Sequence, residues 1–233
     1  MVDHAQLDEL AEASRRLVRT VDGMAESAYA EPSLLPDWTR GHVVAHLALN
    51  AEGLAAALRG LTEGRSVPMY ASQEARDGDI ATLGAAGPEA IRRRLLGAVT
   101  DYTQAVAAVP EEAWDVEIDR TPGKRAFKAR AVVDMRHREV EIHHADLGLS
   151  YTHADWPPTF SARLIGAMTK EGLDDPLTVH AADLDRSWHL GPEGQGGATV
   201  TGTAADLGWW MTGRGDGASL TSTNGELPRI EAW

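Results

Sequence analysis

Leu7, Leu10, Ala11, Leu17, Val18 and Val21 recur near helical spacing and predict an amphipathic helix over residues 5–29. The two prolines of "EPSLLPDW" break that pattern. Thr39 then stands where an N-cap belongs, ahead of a stripe of Val43, Val44, Leu47, Leu54 and Leu58. A second helix is expected from about Arg40 to Leu58. "TEGRSVPMYAS" reads as a loop, followed by a shorter helix from Ser72 to Leu83. After "GAAGP", Pro88 suits the first turn of a third long helix over 89–109. "TPGK" reads as the turn of a short hairpin. A fourth long helix spans roughly Lys128 to Leu147, with Gly148 placed to stop it.

Four long helices separated by loops predict an antiparallel four-helix bundle in the first domain, residues 1–152. The period then changes. A helix over 159–171 is followed by the short β-branched runs "LTVHA", "SWHLG" and "ATVTGT" and by another helix over 203–213. This predicts a small α/β second domain, residues 153–233, and an α+β fold class for the whole chain.

Charge narrows the function. Asp and Glu number 35 against 22 Lys and Arg, a formal net charge of -13. That balance disfavours a nucleic-acid partner, whose phosphates need Lys and Arg, and equally an anionic membrane surface. No apolar run is long enough to span a bilayer, and "MVDHAQLDELAEASRRL" lacks the basic-then-apolar order of a signal peptide, so a cytoplasmic protein is expected. Cysteine is absent, so any thiol chemistry must use a thiol brought from outside.

The candidate chemistry sits in two helical stretches, "WTRGHVVAHLALN" and "RHREVEIHHADLG". Residues four apart on a helix share a face. Glu139 with His143 forms one such pair and His137 with Glu141 another, on a different face. Only one pair is expected to point into the bundle. Ala131, Met135 and Ile142 flank Glu139 and His143 and favour that pair, whereas His137, Glu141 and His144 fall toward the side of Arg130 and Asp134. On the second helix His42 and His46 also share a face, and His46 is favoured as the deeper. Two imidazoles and a carboxylate would make a three-ligand zinc site with an open fourth position. The same spacing also fits a solvated or simply hydrogen-bonded pair. His180 and His189 read as strand-face residues, His4 and His153 as exposed.

Four segments in order, "LLPDWTRGHVVAHLALNAEGL", "VPMYASQEARDGDI", "MRHREVEIHHADLG" and "GRGDGASLTSTNGELP", resemble the mycothiol-dependent maleylpyruvate isomerases of actinobacteria over essentially the whole chain. The resemblance implies a DinB-like metal-binding bundle followed by a small C-terminal α/β domain. It implies His46, Glu139 and His143 as ligands of zinc or another divalent metal, with His42, His137 and His144 as neighbours. It implies Arg214 as the catalytic arginine, although this chain has one residue fewer than the family pattern between that arginine and the following glycine. Mycothiol would be the thiol cofactor and a small molecule the substrate. Addition of the thiolate to the cis double bond of maleylpyruvate, rotation and elimination would give fumarylpyruvate, as in gentisate-type aromatic degradation. Arg76 and Arg138 are further candidates for the substrate carboxylates, each with a surface or interdomain salt bridge as its ordinary reading. Two other functions fit the same metal site: a mycothiol S-transferase acting on electrophiles, and a non-catalytic zinc-binding module.

Overall fold

The computed structural model describes residues 3–124, 126–169, 176–192 and 195–230. It contains seven α-helices and six short strands among the described residues, an α+β composition dominated by helix. The chain separates into two compact units, Met1–Leu149 and Ser150–Trp233, where the sequence suggests a junction at 152/153.

The first unit is built on α1 (His4–Gly23), α2 (Arg40–Thr62), α4 (Pro88–Ala108) and α5 (Ala131–Asp146), with the shorter α3 (Gln73–Gly84) against α2 and α4. α2 contacts α4 and α5, and α1 contacts the same two helices. The caps are those the sequence offers. Thr39 and His42 form a capping box at the start of α2, Ser72 caps α3, and Pro88 opens α4. Gly148, at φ 63°, takes the left-handed conformation that ends α5. The expected first helix to residue 29 is too long. α1 stops at Gly23, Met24 is extended, and Glu26–Ala30 form a separate 3₁₀ turn. The Tyr29 hydroxyl bonds back to the Val21 carbonyl at 3.0 Å, so the turn folds over the end of α1 rather than prolonging it.

The expected hairpin exists as β1 (Glu117–Asp119) paired antiparallel with β2 (Ala126–Lys128). Its β1 end holds the loop before α3, because the N–H groups of Met69 and Tyr70 donate to the carbonyls of Asp119 and Arg120. α2 accepts that loop closely at Gly53, where a Cβ would stand 2.7 Å from the Met69 carbonyl oxygen. Tyr70 is thereby seated against α2.

In the second unit, β3 (Leu177–Ala181), β4 (Arg186–Leu190), β5 (Ala198–Gly202) and β6 (Thr221–Ser222) make a sheet of order β4-β3-β5-β6. β3 pairs antiparallel with β4 and parallel with β5. Leu177, Val179 and Ala181 face inward, and α7 (Ala204–Met211) packs on β3, β5 and α6 (Pro158–Met168). His180 and His189 take the opposite face, bonded to Ser187 and Thr178. β6, only two residues long, carries no sequence signal of its own. His153, expected to be exposed, is half-buried: its ring stacks on Trp209 at 5.1 Å and its Nε2 meets Asp206 at 3.1 Å.

Candidate metal centre

α2 and α5 bring three side chains together. His46 lies in the second turn of α2, buried among Val43, Val44 and Leu47. Glu139 and His143 stack one turn apart on α5, as their spacing dictates. His46 Nε2 is 2.8 Å from Glu139 Oε2, and His143 Nε2 is 3.3 Å from the same oxygen. The two imidazoles meet edge to face with ring centroids 4.7 Å apart. One donor atom from each residue falls within 4.8 Å of the others. Tetrahedral zinc, bound at about 2.0–2.2 Å, holds its ligand atoms about 3.3–3.6 Å apart, so this donor set suits the ion. Only the carboxylate is appreciably open, its side chain 19% exposed against 4% and 9% for the histidines.

The two histidines differ in what stands behind them. His143 Nδ1 lies 2.8 Å from Asp146 Oδ2, a fully buried carboxylate. That is the usual outer partner of a metal-ligating imidazole: it accepts the Nδ1 proton, so that Nε2 is the nitrogen available to a metal. His46 Nδ1 instead faces Arg76 Nη2 at 3.2 Å. Trp38, in the loop before Thr39, sets its ring edge-on to His46 at 5.7 Å.

These surroundings set the charges. Burial pushes His46 down to about 4 against the pull of Glu139. Burial also works against the charged form of His143, but hydrogen bonds to Asp146 and Glu139 outweigh it and raise that imidazole. For Glu139, burial alone would raise the carboxyl; the two histidines overcome it and hold the group well below the ordinary range. Arg136 stands behind the cluster, buried, donating to the Leu47 carbonyl and Asn50 Oδ1 at 2.8 Å each.

His42 is elsewhere engaged, its Nδ1 accepting the Thr39 N–H at 3.2 Å in the helix cap. The expectation that only one Glu–His pair enters the interior is overturned. His137 and His144 are 1% exposed and Glu141 is 0% exposed. α5 is enclosed on the supposed polar side by α1, whose Arg16 meets Glu141 Oε1 at 2.8 Å and whose Thr20 meets His144 Nε2 at 2.8 Å. Arg138 pairs with Asp134 one turn away. Asp146 and the Arg76–His46 contact escape the sequence reading; an acid three residues after His143 was the available signal for the first.

Arg214 belongs to the second unit, following α7. It is 8% exposed, donates to the Thr212 carbonyl at 3.1 Å and lies 5.7 Å over the Trp209 ring. The neighbouring Gly213, Gly215 and Asp216 line a cleft of about 750 Å³ with Trp210, Leu227 and Arg229.

The family profile described as the mycothiol maleylpyruvate isomerase N-terminal domain matches residues 10–148. Two crystal structures described as the mycothiol-dependent maleylpyruvate isomerase, one of them a histidine-to-alanine mutant, are each 30% identical to the chain. The alignments cover 98% of this chain and 96% of theirs, with TM-scores of 0.88 for the mutant and 0.89 for the other. No protein of curated function matches. Among the described residues no helix is long and apolar enough to cross a membrane.

Proposed function

Because the chain belongs to the mycothiol maleylpyruvate isomerase family, we propose that it converts maleylpyruvate to fumarylpyruvate with a divalent metal, zinc by preference, and mycothiol. The observation that carries this reading is the convergence of His46, Glu139 and His143 on one point, with Asp146 behind His143. In this reading residues 1–152 are a DinB-like four-helix bundle that holds the metal, and 153–233 a small α/β domain.

Each residue has a defined task. His46, Glu139 and His143 are the metal ligands; one carboxylate and two neutral imidazoles leave a net positive charge and an open position. Asp146 keeps the Nε2 lone pair of His143 directed at that point. A metal there supplies one thing, depression of a thiol pKa from about 8.5 so that mycothiol is present as thiolate at neutral pH. The chain has no cysteine, consistent with a thiol delivered from solution. Addition to the cis double bond leaves a single bond free to rotate, and elimination returns the thiol with the trans product. Arg214 is assigned to the substrate carboxylates and to the negative charge that builds on the enolate during addition. A guanidinium does this without a proton transfer, since it stays charged throughout.

The test is direct. Zinc-loaded protein is mixed with maleylpyruvate, with and without mycothiol, and fumarylpyruvate formation is followed by ultraviolet absorbance. Turnover that needs both zinc and mycothiol is expected. Thiol-independent turnover, or none, rejects the reading; a stable mycothiol adduct with a model electrophile, without isomerisation, points instead to an S-transferase.

A further inference from the structure

We propose that Trp209 is a positioning residue, whose indole holds the Arg214 guanidinium in its working orientation. The proposal rests on the assignment of Arg214 to the substrate carboxylates and adds the side chain through which that arginine is aimed. All the contacts involved lie within the second unit. Arg214 is 8% exposed, and its Cζ stands over the Trp209 ring, 5.7 Å from the centroid. That separation is within the reach of a cation–π attraction, which strengthens as the cation leaves water. An indole face attracts a guanidinium without taking any of its N–H donors.

The end of α7 brings the two side chains together. Five residues apart on a continuous helix, they would point about 140° away from each other. Instead the Gly213 N–H donates to the Trp210 carbonyl at 2.9 Å and the Arg214 N–H to the Trp209 carbonyl at 3.3 Å. Gly213, at φ 74°, supplies the left-handed residue of the turn. These two bonds form a Schellman motif, in which the residue after the glycine turns back against the last helical turn. That contact is ordinarily apolar; here it joins a cation to an indole. The pairing is therefore written locally, in the sequence W-x3-G-R of residues 209–214.

The indole is braced in turn. His153 stacks on it with centroids 5.1 Å apart and 8° between the planes, and Asp206 Oδ1 lies 3.1 Å from His153 Nε2. Trp156 meets the ring edge to face at 5.8 Å. At Gly215, where φ is 69°, a Cβ would stand 3.2 Å from Trp209 Cδ1 and Nε1, so the chain after Arg214 also runs close to the ring. A rigid platform matters for a group that must meet developing charge, because a misplacement of about 1 Å can cost about a hundredfold in rate. His153, Trp156 and Asp206 thus act on the arginine through Trp209.

Two measurements test this. Trp209→Met fills the space without a π face, and Trp209→Phe keeps one. In steady-state kinetics of zinc-loaded protein with mycothiol and maleylpyruvate, Trp209→Met should lower kcat about tenfold or more, and Trp209→Phe should recover most of that loss. In an Arg214→Gln background, Trp209→Met should cost less than about twofold further, since its effect passes through the arginine. Peptide-resolved labelling with phenylglyoxal should modify Arg214 at least about threefold faster in Trp209→Met than in the wild type, with Arg186 of the same unit unchanged. Thermal unfolding monitors the fold of each variant. Should Trp209→Met not fold, His153→Ala, which removes the brace, takes its place with the same direction expected. Wild-type kcat or unchanged Arg214 labelling in these variants, or equal losses with and without the arginine, overturns the proposal. Full activity of Arg214→Gln defeats the assignment of Arg214, and the proposal with it. Without isomerase turnover in the wild type the functional reading fails, and the labelling then decides alone whether Trp209 holds Arg214.

Discussion

His143 Nδ1 and Asp146 Oδ2 lie 2.8 Å apart within one helix, and the acid is wholly buried. An aspartate three residues from a histidine needs no tertiary contact to reach it, so α5 carries both a candidate ligand and the group that orients it. His46 has no carboxylate in the same place, only Arg76. The two imidazoles are thus prepared for a metal to different degrees.

The difference predicts unequal effects on metal binding. His46→Ala and His143→Ala should each remove stoichiometric zinc. Asp146→Asn should retain it but with affinity about 10–100-fold lower, the usual effect of an outer partner. Metal content after dialysis against a graded chelator series measures this, and wild-type affinity in Asp146→Asn would refute the orienting role.

The metal-free protein should be acid-sensitive through His46. Its folded pKa, about 4, lies below the unfolded value of about 6.5, so the unfolded chain takes the proton first. The corresponding stability is present above about pH 6.5 and is lost as pH falls toward 4, on the order of 3 kcal/mol at most. His143 is shifted upward, so its contribution is complete below its unfolded pKa and disappears as pH rises through the folded one. Urea midpoints of metal-free protein across this range should show the acid loss, and His46→Phe should flatten it.

The buried pair between α1 and α5 should respond asymmetrically. Glu141 is 0% exposed, whereas the Arg16 side chain is 26% exposed and can rehydrate. Arg16→Met removes the guanidinium from a buried carboxylate, and should cost about 3 kcal/mol. Glu141→Gln should cost less, as the remaining guanidinium reaches water. Equal losses in chemical denaturation would contradict a buried, Arg16-dependent Glu141.

Arg214→Lys should leave zinc content and fold intact while lowering turnover of maleylpyruvate by about 10²–10³-fold, the range for losing one fixed donor to a developing oxyanion. Steady-state rates beside metal analysis distinguish this from indirect damage. A rate within threefold of wild type would remove Arg214 from the reaction.

Much of the helical layout was legible in the residues themselves. The apolar stripe of α2, the Thr39 and Ser72 caps, Pro88 at the start of α4 and Gly148 after α5 are local signals, and each acts within a turn or two of its own position. The convergence of Glu139 and His143 was equally local, fixed by the rise and twist of an α-helix. The helix position favoured His46 over His42, and the family resemblance supplied Arg214, which spacing alone could not single out.

What the residues could not convey was the burial of α5. A polar face normally implies water, and by that rule His137, Glu141 and His144 belonged outside. Their partners, Arg16 and Thr20, lie more than a hundred positions away on α1. Arg136 likewise finds the Leu47 carbonyl and Asn50 on α2. Hydrogen bonds of that reach make burial of polar side chains tolerable, and they exist only once the helices have packed. The local backbone and the Glu139–His143 pair therefore follow from the sequence by itself. Which face of α5 is dry, and that His46 meets Glu139 while leaning on Arg76, were decided by tertiary structure.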